Sequence, residues 1–242
     1  MKIHPKDKII IALDVEELDK AQELVGLLKD HVGAFKIGKQ LFTRYGPEAV
    51  RGIHASGGKV FLDLKFHDIP TTVAKASLEV VRLGVFMFNM HAMGGFEMMR
   101  QAIAAVQEAA ATLHCSRPRV LAVTVLTSLG SVDLKRAGFS ADLEQLVTGL
   151  ACLAKDAGLD GVVASPKEIN AIKKVCGNEF LVVTPGIRPE SSELNDQKRT
   201  LTPGEAIQTG ADYIVVGRPV TRAPDPLAIV KNILKELEGL KS

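Results

Sequence analysis

The chain has 242 residues, 46% of them hydrophobic and 24% charged, with a formal net charge of +2. A chain of this size can bury one large core. So small a charge leaves no electrostatic footprint for nucleic acid or a membrane surface. With no Trp and only two Tyr there is also little aromatic surface for stacking single-stranded bases.

Three widely spaced cysteines, Cys115, Cys152 and Cys176, form no CxxC pair. An odd, scattered set is expected to stay reduced in a cytoplasmic protein. The opening residues, MKIHPKDKIIIALDV, hold too short an apolar run for a signal peptide, and Asp14 interrupts it. No apolar stretch reaches membrane-spanning length.

Taken in chain order, apolar runs predict strands at 8–13, 33–37, 59–64, 85–90, 119–125, 160–164, 180–184 and 212–216. Helical periodicity fills the gaps. Over 17–30, Leu18, Ala21, Leu24, Val25 and Leu28 recur on one face. The segment 94–113 is rich in Ala, Met and Gln, and 142–157 carries Leu143, Leu146, Val147, Leu150 and Leu153 along one stripe. Ser165 before Pro166 and Asp225 before Pro226 read as helix starts. Eight such β-then-α units favour an α/β fold of one kind, a single (β/α)8 TIM barrel filling one domain, 1–242. An open doubly wound sheet is the alternative, but no GxGxxG follows the first strand.

The charges gather at strand ends. Asp14 follows the first strand and Lys36 lies in the second. The third runs into VFLDLKFHDIPTT at 60–72, where Asp63 and Asp68 bracket Lys65. Alternation along a strand points Asp63 and Lys65 to one face, and Leu62, Leu64 and Phe66 to the other. Such groups are costly inside a barrel unless they pair, so a structural ion pair is the plain alternative to an active site. A lysine ringed by carboxylates keeps its ammonium form. That suits a cation that stabilises a developing carbanion and then donates a proton, rather than a Schiff-base lysine.

Asp63, His67, Asp68 and His91 could instead ligate a metal. The ammonium already occupies the place of the cation, so no metal is expected. His67 is expected to position the turn or cap a backbone group, and His91 to be a hydrogen-bonded core residue. His4, His31, His54 and His114 are expected at the surface.

Phosphate chemistry appears where barrels place it, after the seventh and eighth strands. Thr184-Pro185-Gly186-Ile187-Arg188-Pro189 pairs a permissive glycine with the planar fork of Arg188. Val216-Gly217-Arg218-Pro219-Val220 opens a short helix with a glycine and an arginine. Between them the polar segment 190–202 (ESSELNDQKRTLT) reads as a lid, with Gln197 able to reach a phosphate oxygen.

Taken together, Asp14, FKIG, DLKFHDIPTT, LTS at 126–128, TPGIRP and VGRPV closely resemble the orotidine 5′-phosphate decarboxylases, from the first strand through the eighth. DxKxxD alone is shared with sugar-phosphate decarboxylases and aldolases. DIPTT, TPGIRP and VGRP narrow the match. The resemblance implies a homodimeric barrel converting orotidine 5′-monophosphate to UMP and CO2, the last step of de novo UMP synthesis, without a cofactor. It implies that Lys65 protonates C6 and that Asp63 sits against the substrate carboxylate. Asp68 and Thr72 would come from the partner subunit, with Asp68 completing a Lys36–Asp63–Lys65–Asp68 array. Asp14 and Lys36 would hold ribose hydroxyls, and Thr127 and Ser128 would lie near the pyrimidine. Arg188, Gln197, Gly217 and Arg218 would bind phosphate. A magnesium-dependent enzyme of keto-sugar phosphates is the nearest alternative, and it predicts an acidic residue where Lys36 stands. A silent nucleotide-binding barrel predicts a broken charge array.

Overall fold

The computed structural model describes residues 4–140, 142–188 and 201–240. Eight parallel strands close into a barrel in sequence order. They are β1 (Ile9–Ala12), β2 (Ala34–Gly38), β3 (Val60–Phe66), β4 (Met87–His91), β5 (Arg119–Val123), β6 (Gly161–Val163), β7 (Leu181–Thr184) and β8 (Tyr213–Val216). The ring shuts where Ile10 faces Val215 on one side and Ala34 on the other. Each predicted strand lies within two residues of an observed one. An open sheet is therefore ruled out, since β1 pairs with both β2 and β8.

Alternation divides the apolar residues between two cores. Ile10, Ala12, Ala34, Phe61, Met87, Leu121, Val183, Tyr213 and Val215 fill the barrel interior. Their neighbours, such as Ile9, Ile11, Phe35, Leu62 and Phe88, point outward and pack under the helices. At the N-terminal end, Arg119 donates to the Tyr213 hydroxyl and lies over the Phe86 ring, closing the floor.

Helices α1 (Leu18–Leu28), α2 (Lys39–Tyr45), α3 (Pro47–Ala55), α4 (Pro70–Arg82), α5 (Phe96–Thr112) and α6 (Ser131–Arg136) cover the first five strands. Then follow α7 (Leu143–Asp156), α8 (Ile169–Cys176), α9 (Pro203–Thr209), α10 (Arg218–Thr221) and α11 (Pro226–Glu238). In α1 the predicted stripe is the buried one, with Ala21, Leu24, Val25 and Leu28 all inside. Each fully buried leucine or valine contributes roughly 1.5–3 kcal/mol.

Starts and stops follow local chemistry. Asp225 caps α11 by accepting the Ala228 N–H at 3.0 Å. Thr202 and Glu205 cap α9 reciprocally, at 3.2 and 2.8 Å. At Ser165 the cap is inverted: Glu168 accepts the Ser165 N–H at 2.9 Å, while among the described residues the buried serine hydroxyl finds no partner. Gly46, at φ +57°, separates α2 from α3 in a conformation that a side chain resists, and Pro47 then starts α3.

Candidate active site

The C-terminal ends of β1, β2 and β3 bring three charged side chains around Asp63. The β2–β3 register sets Gly38 opposite Asp63 and Lys36 opposite Phe61, so Lys36 reaches Asp63 from two residue pairs below, on the same face. Lys36 Nζ stands 3.2 Å from Asp14 Oδ1 and 3.4 Å from Asp63 Oδ2. Lys65 Nζ lies 2.6 Å from the other carboxylate oxygen, Oδ1. Asp14, Lys36, Asp63 and Lys65 thus alternate in sign across three strands.

Burial and charge oppose each other at Asp63. Desolvation pushes its carboxyl up, but the Lys36 and Lys65 ammonium groups, with hydrogen bonds from Lys65 and Asn89, hold it below the ordinary carboxylate range. Only 13% of its side chain is exposed. A carboxylate this deep is strongly destabilising once it is left with no cation at all, yet as an ion pair it adds little net stability. Stability alone does not account for the arrangement.

A cavity of about 170 Å³ opens beside the cluster. Lys36, Asp63 and Lys65 form its charged wall, and Phe61, Val123, Val125, Leu126, Val163 and Val215 its apolar one. Thr127 and Pro185 complete the rim, while Ser128 is exposed just outside it. A larger apolar groove lies over the outer face of β3, between α3 and α4, where Leu62, Leu64 and Phe66 point away from the charges. The predicted division of faces along β3 therefore holds.

The remaining sequence candidates are distributed as follows. Asp68 is exposed just before α4, and Thr72 is exposed in its first turn. Asp68 Oδ1 accepts the Ile69 N–H at 2.7 Å, and among the described residues it pairs with no cation. Arg188 is buried after β7, beyond the left-handed Gly186 at φ +83°. Its backbone N–H donates to Leu201 at 3.1 Å, so the chain leaves and re-enters the described structure at adjacent points. Gly217 N-caps α10, with Arg218 its first residue. A methyl group built at Gly217 would lie 3.7 Å from Asp14 Oδ2, which places this turn beside the charge cluster. Gln197 and most of the 190–202 segment lie outside the described residues.

Three histidine expectations need correction. His91 is half-buried, and among the described residues its contact is the ring of His67 at 5.4 Å rather than a hydrogen bond. Burial, then the neighbouring His67 and Lys65, push its pKa down, favouring the neutral form. His67 is exposed, and among the described residues it bonds no backbone group, which leaves its place on the turn after β3 as the other expectation. His54 and His31, both expected at the surface, are half-buried; His54 Nδ1 lies 3.1 Å from the Gly58 carbonyl, because α3 turns that face toward β3.

Sequence reading missed Asn89. It is fully buried in β4, donates to Asp63 Oδ1 at 2.7 Å, and accepts the Lys65 N–H at 2.8 Å. The available signal was a lone amide in the apolar run VFMFNM.

Residues 7–233 match the model of the "Orotidine 5'-phosphate decarboxylase / HUMPS family". An orotidine 5′-phosphate decarboxylase of Syntrophotalea carbinolica is 53% identical over 98% of this chain and 97% of its own length. One from Moorella thermoacetica is 52% identical over 100% of this chain and 96% of its own. Among solved structures, an orotidine 5′-phosphate decarboxylase of Lactobacillus acidophilus superposes with a TM-score of 0.83 at 36% identity, covering 96% of this chain and 99% of that one.

Proposed function

Since the chain belongs to the orotidine 5′-phosphate decarboxylase / HUMPS family, we propose that it decarboxylates orotidine 5′-monophosphate to UMP and CO2, the last step in making UMP. The observation that carries this reading is the Asp14–Lys36–Asp63–Lys65 array at the cavity wall. The family name also covers sugar-phosphate enzymes. Lys36 favours the nucleotide reaction, because it sets an ammonium 3.4 Å from Asp63, where a metal-binding site would need another acid.

The C6–carboxylate bond breaks, CO2 leaves, and the electron pair stays on C6. Lys65, held 2.6 Å from Asp63, stabilises that carbanion by preorganised charge and then gives C6 a proton. Asp63 faces the departing carboxylate, and Asp14 and Lys36 hold the ribose hydroxyls. Thr127 and Ser128 flank the pyrimidine. Arg188, Gly217 and Arg218, with Gln197, bind the phosphate, whose remote binding energy supports the chemistry at C6. No cofactor has a role in this scheme.

A homodimer completes the site, with Asp68 and Thr72 crossing to the partner. The surface around them supports this. Ile69 and Val132 are 63% and 64% exposed, and Met93, Phe96 and Leu126 are exposed too. All lie on segments that follow β3, β4 or β5 at the C-terminal end of the barrel, and large apolar side chains left exposed there suit an interface. Among the described residues no helix is long and apolar enough to cross a membrane.

The test is the ultraviolet absorbance of orotidine 5′-monophosphate mixed with the purified protein, with and without EDTA. Loss of the substrate spectrum in both samples is the expected result. An unchanged spectrum, with magnesium-dependent turnover of a keto-sugar phosphate, would assign the chain to the other branch of the family.

A further inference from the structure

Resting on the decarboxylase reading, we propose that Asn89 is a positioning residue: its one carboxamide sets both the backbone turn that aims Lys65 and the orientation of Asp63. The β3–β4 ladder pairs Leu62 with Phe88 and next pairs Phe66 with Met90. Asp63, Leu64 and Lys65 therefore face Asn89 alone. Such a bulge re-aims side chains but strips backbone groups of their ladder partners. Lys65 also sits at φ +56°, a left-handed conformation that a lysine adopts only when its surroundings enforce it.

Asn89 supplies what the ladder has lost. Its Oδ1 accepts the Lys65 N–H at 2.8 Å, and its Nδ2 donates to Asp63 Oδ1 at 2.7 Å. With no exposure to solvent, the carboxamide has no competing water. Only a group with an acceptor at one end and a neutral donor at the other fits both partners. An aspartate would set a second anion against Asp63, and a leucine would leave the Lys65 N–H unpaired.

This arrangement has a consequence for the reaction. Asp63 Oδ1 is shared by Lys65 and Asn89, while Oδ2 faces Lys36. When Lys65 gives its proton to C6, Asp63 keeps Lys36 and the Asn89 amide. The carboxylate stays in place as its nearest cation turns neutral.

The experiment compares Asn89→Leu and Asn89→Asp with the unaltered chain, measuring kcat, UMP affinity and hydrogen exchange at the Lys65 amide. In Asn89→Leu, kcat falls on the order of tenfold to a hundredfold, as small misplacements of reacting groups do, with UMP affinity kept. Its Lys65 amide exchanges faster. Asn89→Asp keeps the acceptor and so the slow amide, yet it loses kcat because Asp63 loses its donor; it also serves if the leucine variant fails to fold. Unaltered kcat in both variants, or kcat and UMP affinity lost together, overturns the proposal. If the unaltered chain leaves orotidine 5′-monophosphate intact, the decarboxylase reading is what fails. In that case the Lys65 amide still decides whether Asn89 holds the turn.

Discussion

Lys36 Nζ stands 3.4 Å from Asp63 Oδ2, and the two side chains are only 12% and 13% exposed. Lys65 takes the other oxygen, so Asp63 is clamped between two cations from adjacent strands. Neither lysine alone fixes the carboxylate. That redundancy separates what Lys65 does for the fold from what it does for the reaction.

Lys65→Ala is expected to abolish turnover and spare the fold. Asp63 keeps Lys36 and Asn89, and Lys65 is 23% exposed, so the stability loss should be on the order of 1 kcal/mol. Turnover should fall by about a thousandfold or more, since the group meeting the developing charge is gone. Absorbance assays, UMP titration and thermal melts check the three parts. An unfolded variant would favour the purely structural ion pair.

Asp63 should leave a mark on stability at acid pH. Despite burial, Lys36 and Lys65 hold its folded pKa below the ordinary value. The unfolded chain, titrating near ~3.9, therefore takes up a proton before the folded one does. Its stabilisation is fully present above that value and is lost as pH falls through the folded pKa. Melting temperatures of the unaltered chain and Asp63→Asn should differ by a constant amount near neutrality and converge below about pH 4. A gap that widens on acidification would reverse the assigned direction.

Gly38 tests Lys36 without removing it. A methyl group there would lie 3.1 Å from Lys36 Nζ and 3.4 Å from Asp14 Oδ1. The backbone, at φ −90°, accepts alanine without strain. Gly38→Ala should therefore displace the ammonium, lowering kcat/KM by about tenfold while the melting temperature barely moves. Unchanged kinetics would mean that Lys36 can shift without consequence.

The sequence revealed most of the scaffold because burial and alternation are local signals. The triple Ile9–Ile10–Ile11 could only be a strand buried on both faces, and Leu24 and Leu28 could only sit on one side of a helix. Asp63 and Lys65 were legible as partners because they lie two apart on one strand. Asn89 was not, since its two partners lie 24 and 26 residues away and meet it only through the register shift of β3 on β4. The left-handed turn at Lys65 was equally hidden, because neither glycine nor asparagine occupies that position to announce it. His31, His54 and His91 were misjudged for a related reason: a helix or strand end does not by itself say which face the next layer covers.

Within one chain, Asp68 turns its carboxylate to the Ile69 N–H at 2.7 Å and meets no cation among the described residues. It sits on an exposed stretch bordered by the apolar Ile69. If it acts in a neighbouring site, Lys65→Ala and Asp68→Ala each break every site of their own homodimer. A heterodimer of the two differs: one site receives both lesions, and the other receives intact Lys65 and intact Asp68. Mixing the inactive variants under conditions that exchange subunits should therefore restore turnover, rising with the heterodimer fraction. Restored activity with no subunit exchange would point to contamination. Complete exchange with no activity would place Asp68 outside the shared site and leave the array complete within one chain.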